Sequence, residues 1–183
     1  MNRKSLVLCA AILAAILAAP ARSPAAATAS TTAQITSQLK EAKKASYELR
    51  TTAERLAAIT RGINHSWHSH SQSLNEAREH LNRLGQMLVD LEELKPHASQ
   101  PQQMAIESMR PRLAQMANAL TSAIELVSVG SNNIRFSPYG DAVETVTEHS
   151  TSLHQTLDTV LKYEAAKAQF DGLELEAATQ LVR

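Results

Sequence analysis

An all-α, up-down-up-down bundle of four long helices is the fold this sequence predicts, and three observations carry the prediction. Apolar residues recur in steps of three and four from Ile35 onward. Helix-breaking residues gather at three places and divide the chain into stretches of matched length. Glycine and proline are scarce, at 5 and 6 residues in 183, and only 3% of residues are aromatic. Long helices have that composition.

The first stripe reads Ile35, Leu39, Ala42, Ser46, Leu49, Ala53, Leu56, Thr60, Ile63. A second runs Trp67, His70, Leu74, Ala77, Leu81, Leu84, Leu88, Leu91. In the third, Ile106, Met109, Leu113, Met116, Leu120, Ala123, Val127, every position is apolar. The fourth is Val143, Val146, Ser150, Leu153, Leu157, Val160. Spacing of this kind turns one face of each helix inward and favours shallow left-handed crossings.

Between the first two stripes stand Gly62, suited to a left-handed helix end, then Ile63 and the potential caps Asn64 and Ser66. Lys95-Pro96-His97-Ala98-Ser99 ends the second helix; Ser99 with Gln102 makes a capping-box pair and Pro101 suits a first turn. The third connection, Gly130 to Tyr139, holds Asn132, Asn133 and Pro138, and Asp141 with Glu144 forms another capping pair. Helices at roughly 31–62, 65–95, 100–130 and 139–171 follow, each about thirty residues or ~45 Å long. Leu173 to Val182 either extends the fourth or folds back. An alternative fuses the first two into one long helix, in an extended hairpin or coiled-coil dimer, because the register is unbroken from Ile35 to Leu91. The cluster of poor helix residues around Gly62 favours the turn. Pro111, inside the third helix, implies a kink there, with Arg110 and Arg112 turned to solvent.

The start of the chain reads as an export signal. Arg3 and Lys4 precede an apolar run from Leu6 to Ala19, and Ala19-Pro20-Ala21 has the form of a cleavage site, with alternatives as late as residue 29. Fourteen apolar residues span only ~21 Å, short of the roughly 30 Å hydrocarbon core. Residues 1–21 are therefore expected to be a signal peptide, 22–30 a disordered lead-in, and 31–183 the bundle domain of a periplasmic or secreted protein with no stable membrane insertion. The single cysteine, Cys9, lies in the apolar run, so the processed chain has no thiol for a disulfide, a metal or a nucleophile.

Charge narrows the partners. The 18 Lys+Arg balance 18 Asp+Glu. Without Arg3 and Lys4, sixteen basic residues face eighteen acidic ones, interspersed with no basic stripe. Nucleic acid and anionic lipid are poor partners for such a surface, and six aromatic residues make no stacking platform.

Seven histidines are the only candidates for site chemistry. His65 and His68, three apart, share a helical face and form with His70 a candidate site for zinc or copper. Topology sets His80 and His154 at similar depth, with Tyr47 and Gln115 near that level, as a polar layer able to ligate haem or a metal. Against both stands the missing grammar: no Glu-x-x-His pair, C-x-x-C-H, H-E-x-x-H, G-x-S-x-G or phosphate loop occurs. Met109 and Met116 occupy stripe positions, where methionine fills space. The leading expectation is a non-enzymatic interaction or scaffold module with no cofactor, bound to protein partners or to itself as a homodimer. The alternative is a metal- or haem-binding bundle using the 65–70 cluster or the His80/His154 layer.

Overall fold

A computed structural model of the chain describes residues 24–62, 66–130, 134 and 136–181. The expected signal segment 1–21 lies outside the described residues, as do Ile63, Asn64, His65, Asn132 and Asn133. Four helices pack against one another: α1 (Pro24–Arg61), α2 (Trp67–Leu94), α3 (Gln100–Val129) and α4 (Ser137–Leu181), with one 3₁₀ turn, Lys95–His97, after α2. The described residues contain no strand. This is the predicted all-α four-helix bundle.

Ion pairs trace the up-down-up-down course. Arg55 meets Glu76 at 2.7 Å and Arg83 meets Glu48, so α1 and α2 are antiparallel neighbours. Glu92 takes both Arg110 Nε and Nη2, and Lys95 meets Glu107, which joins α2 to α3. Arg112 reaches Ser152 on α4, and Lys43 meets Asp158, closing the ring between α4 and α1. The fused-helix alternative is thereby corrected: the chain reverses between Arg61 and Trp67 although the heptad phase carries across. Eight heptads in phase were a coincidence of connection length.

The core is the stripe. Ile35, Leu39, Ala42, Ser46, Leu49, Ala53 and Leu56 are buried on α1, and His70 through Leu91 on α2 keep the expected register. Met109 and Met116 are fully buried among α3's stripe, and Val143, Val146, Ser150, Leu153 and Leu157 face them from α4. Each large apolar side chain so buried contributes about 1.5–3 kcal/mol, set against the conformational entropy lost on folding. Trp67 departs from its stripe: as the first residue of α2 it has no turn before it to pack against, and it stays 57% exposed.

Helix ends differ from expectation in instructive ways. Ser99 and Gln102 form the capping box, Gln102 N donating to Ser99 Oγ and Ser99 N to Gln102 Oε1. Gly62 closes α1 through its N–H to Ile59 O at 3.3 Å, and its own φ is not left-handed. Ser66 stands at the α2 N-cap, with no side-chain cap bond. Asp141 is not a cap; α4 already begins at Ser137, whose hydroxyl donates to Asp141 Oδ2. Beside Pro111, Arg110 is turned to solvent as expected while pairing with Glu92, whereas Arg112 is half-buried and donates to Ser152 and Ser108 O.

Two helices overrun the expected lengths. Pro24, which suits a first helical position, starts α1 seven residues ahead of the expected 31. α4 passes through Gly172, which has no positive φ, and continues to Leu181. Ser99 donates to Glu164 at 2.7 Å where α4 leaves the α2–α3 connection. Beyond that level Ala165 to Gln180 are all exposed, ~24 Å of helix running past the α2–α3 connection.

Candidate functional site

One end of the bundle is closed. Ile134 and Tyr139, from the α3–α4 connection and the start of α4, are both buried there. His70 Nδ1 lies 2.7 Å from Tyr139 Oη, and that hydroxyl also meets the Thr60 side chain. Thr60 Oγ1 spends its own proton on Leu56 O at 2.7 Å. Tyr139 Oη thereby links Thr60 of α1 and His70 of α2 to the start of α4 as one hydrogen-bonded chain. Burial pushes the Tyr139 phenol well above its ordinary range, against the smaller opposing effect of Thr60, so it stays a neutral donor. This chain fastens helices and presents nothing to solvent.

A different arrangement lines the outer face of α1 and α4 near the other end. In Lys40-Glu41-Ala42-Lys43-Lys44, Ala42 sits on the core stripe, and the three lysines flank it. With Tyr47 they border an open groove of about 680 Å³, completed on α4 by His154, Asp158, Leu161, Lys162 and Ala165. Asp158 takes Lys43 Nζ at 2.6 Å on one oxygen and Lys162 Nζ at 2.7 Å on the other. Hydrogen bonds from Lys162 and then Lys43 hold its carboxyl down to about 2. Lys40 and Lys44, exposed one turn apart, add two further positive charges. The floor is apolar at Leu161 and Ala165. At the far end the half-exposed Tyr47 ring carries the Arg50 guanidinium 5.0 Å from its centroid.

His154 is held in one tautomer. Its Nδ1 lies 3.3 Å from both Lys43 O and Ser46 Oγ, while Ser46 donates to Lys43 O. A carbonyl only accepts, so Nδ1 carries the proton. The His154 ring stands 5.6 Å from Tyr47.

The structure distributes the sequence-predicted candidates. His65 lies outside the described residues. His68 is exposed, edge-on to Trp67, whereas His70 is fully buried against Tyr139, so these two neighbours serve opposite sides of α2. His80 and His154 do reach the same level of α1: His80 Nδ1 is 3.6 Å from Glu48, and His154 binds at Ser46. They approach α1 from α2 and from α4, on its two flanks, and Gln115 is exposed. No shared internal layer forms. Among the described residues no three His, Cys, Asp or Glu side chains gather closely enough to hold a metal ion.

The lysine groove corrects the expectation that the chain has no basic stripe. A run KEAKK is visible in the sequence, but its fourth lysine lies 118 positions beyond Lys44 and joins it only through the α1–α4 pairing. No described helix is long and apolar enough to cross a membrane. Compared with protein families, with curated proteins and with solved structures, the chain matches none.

Proposed function

We propose that this chain is an exported, non-enzymatic interaction module that works through the surfaces at the open end of its bundle. The α4 overhang carries the proposal. It bears Phe170, Leu173 and Leu175 at 62%, 65% and 71% exposure, on a helix that no core contact requires to be so long. Exposed apolar side chains grouped on one element mark a docking surface more often than chance. Three of the described histidines are engaged in ways that tie helices together, His70 with Tyr139, His154 with Ser46 and Lys43, His80 with Glu48.

The test is an absorption spectrum, a metal analysis and melting of the untagged chain beginning at Arg22, which retains every described residue. The reading expects no Soret band, substoichiometric metal, and melting unaltered by EDTA, Zn²⁺, Cu²⁺ or haem. A Soret band, stoichiometric metal, or a ligand-dependent shift abolished in a His65/His68/His70 or His80/His154 alanine variant overturns it. Export is tested by expressing the full chain in a bacterial host and reading its new N-terminus by mass spectrometry. Cleavage between Ala21 and Ala29 is expected; an intact Met1 in the cytoplasm contradicts it.

A further inference from the structure

We infer that the outward face of the α4 overhang pairs with the same face of a second copy, as a short antiparallel coiled coil. The inference rests on the interaction-module reading and names its partner. Tyr163, Ala166, Phe170, Leu173 and Ala177 follow one another in steps of three and four, the spacing of the core stripes. All five are exposed. At ~100° of turn per residue they lie on the side of α4 opposite Val146, Ser150, Leu153 and Leu157, which are buried in the core. They point away from the lysine-groove floor at Leu161 and Ala165, which takes no part. Earlier along α4 the same outward line holds Glu148, Ser152, Gln155 and Thr159. The face thus turns from polar to apolar where α4 passes the α2–α3 connection, at the Ser99–Glu164 bond. A solvated helix end needs no such stripe.

The charges beside the stripe select orientation and register. With the helices antiparallel, Phe170 of each copy packs against Leu173 of the other, Ala166 against Ala177 and Tyr163 against Gln180. That register, set by the apolar residues, places Lys167 of each copy beside Glu174 of its partner, and the pair recurs through the two-fold axis. A slip of one heptad in either direction sets Lys167 against Lys167 or Glu174 against Glu174. A parallel pairing sets Lys162 of one copy against Lys167 of the other. A face that is its own complement in this way closes as a dimer rather than growing into a filament. From Tyr163 to Gln180 the paired helix runs ~27 Å, at the small end of specific interfaces, so the dimer exchanges with monomer. A foreign helix would cover the stripe and leave the reciprocal placing of Lys167 and Glu174 unexplained.

Sedimentation equilibrium of the chain from Arg22 reads the dimer directly. A monomer–dimer equilibrium is expected, weakened at least about tenfold by Phe170→Ser with Leu173→Ser. Lys167→Glu and Glu174→Lys each set like charges opposite one another, and each should weaken it about threefold or more at ~50 mM salt. Mixing these two single variants should restore the parental affinity as a heterodimer, and combining both changes in one chain should restore it as a homodimer. All four positions are exposed, so melting of the dilute chain should stay unchanged. A chain that remains monomeric at ~100 µM and ~50 mM salt, where screening is weak, overturns the dimer and leaves the module reading standing. A dimer indifferent to Phe170→Ser/Leu173→Ser overturns the stripe as its seat. One that the single charge reversals leave untouched, or that neither mixing nor the combined reversal restores, overturns the antiparallel register. Bound haem or stoichiometric metal overturns the module reading whatever the mass.

Discussion

The two ends of this bundle are built on opposite principles. At the closed end, the polar groups of Thr60, His70 and Tyr139 are drawn inside and spend their hydrogen bonds on one another. At the open end α4 runs on past the α2–α3 connection, and lysines, a tyrosine and apolar side chains stand in water. The contrast separates polar residues that hold the fold from charged ones that the fold does not need. A buried hydrogen-bonded chain is costly to cut, because each orphaned member keeps its desolvation penalty. An exposed ion pair contributes little to stability, so its residues are free to serve recognition.

Substitutions sharpen this comparison, and the largest effect belongs to the closed end. Tyr139→Ala should cost about 3–5 kcal/mol in urea unfolding followed by circular dichroism, from the lost ring and the cavity left beside His70. Tyr139→Phe keeps the ring and should cost about 1–3 kcal/mol, the penalty of leaving His70 Nδ1 and Thr60 without their partner. A Tyr139→Phe chain as stable as the parent would refute the hydrogen-bond chain. Ser99→Ala removes one half of the capping box together with the bond to Glu164, and should cost about 1 kcal/mol. Gly172→Ala, with nothing within 4 Å of the added methyl group, should add up to about 1 kcal/mol of local helix stability to the overhang and leave the closed end unmoved.

Asp158→Asn is the smallest change and the most pH-specific. The Asp158 carboxyl titrates lower in the folded chain than in the unfolded one, so its contribution is present above the ordinary carboxylate range and fades as pH falls toward about 2. Melting at pH 7 should shift little on substitution, because the pair is partly exposed, while the slope of stability against pH between ~4 and ~2 should flatten. An unaltered acid slope would show that Asp158 does not hold Lys43 and Lys162.

Much of the fold was legible because burial and periodicity coincide. From Ile35 to Leu56 and from Ile106 to Ala123 every stripe residue is buried, and the Ser99–Gln102 capping box forms as its spacing requires. What escaped lies outside periodic runs or depends on pairing between distant helices. Ile134 and Tyr139 sit where no stripe passes, so nothing marks them as core. His70 belonged both to the second stripe and to a histidine cluster, and packing decided between the two. Gly172 reads as a stop in isolation; a single exposed glycine costs a helix only about 1 kcal/mol, too little to end one already long. The groove needs α1 beside α4, and only the folded chain puts Lys162 next to Lys43.

Residue-resolved hydrogen exchange on the dilute chain addresses the difference between the ends most directly. Amides of α4 from Ala142 to Leu153 should be strongly protected, held by the core. Those from Ala165 to Gln180, where every residue is exposed, should exchange rapidly. A closed end no better protected than the overhang would contradict the account.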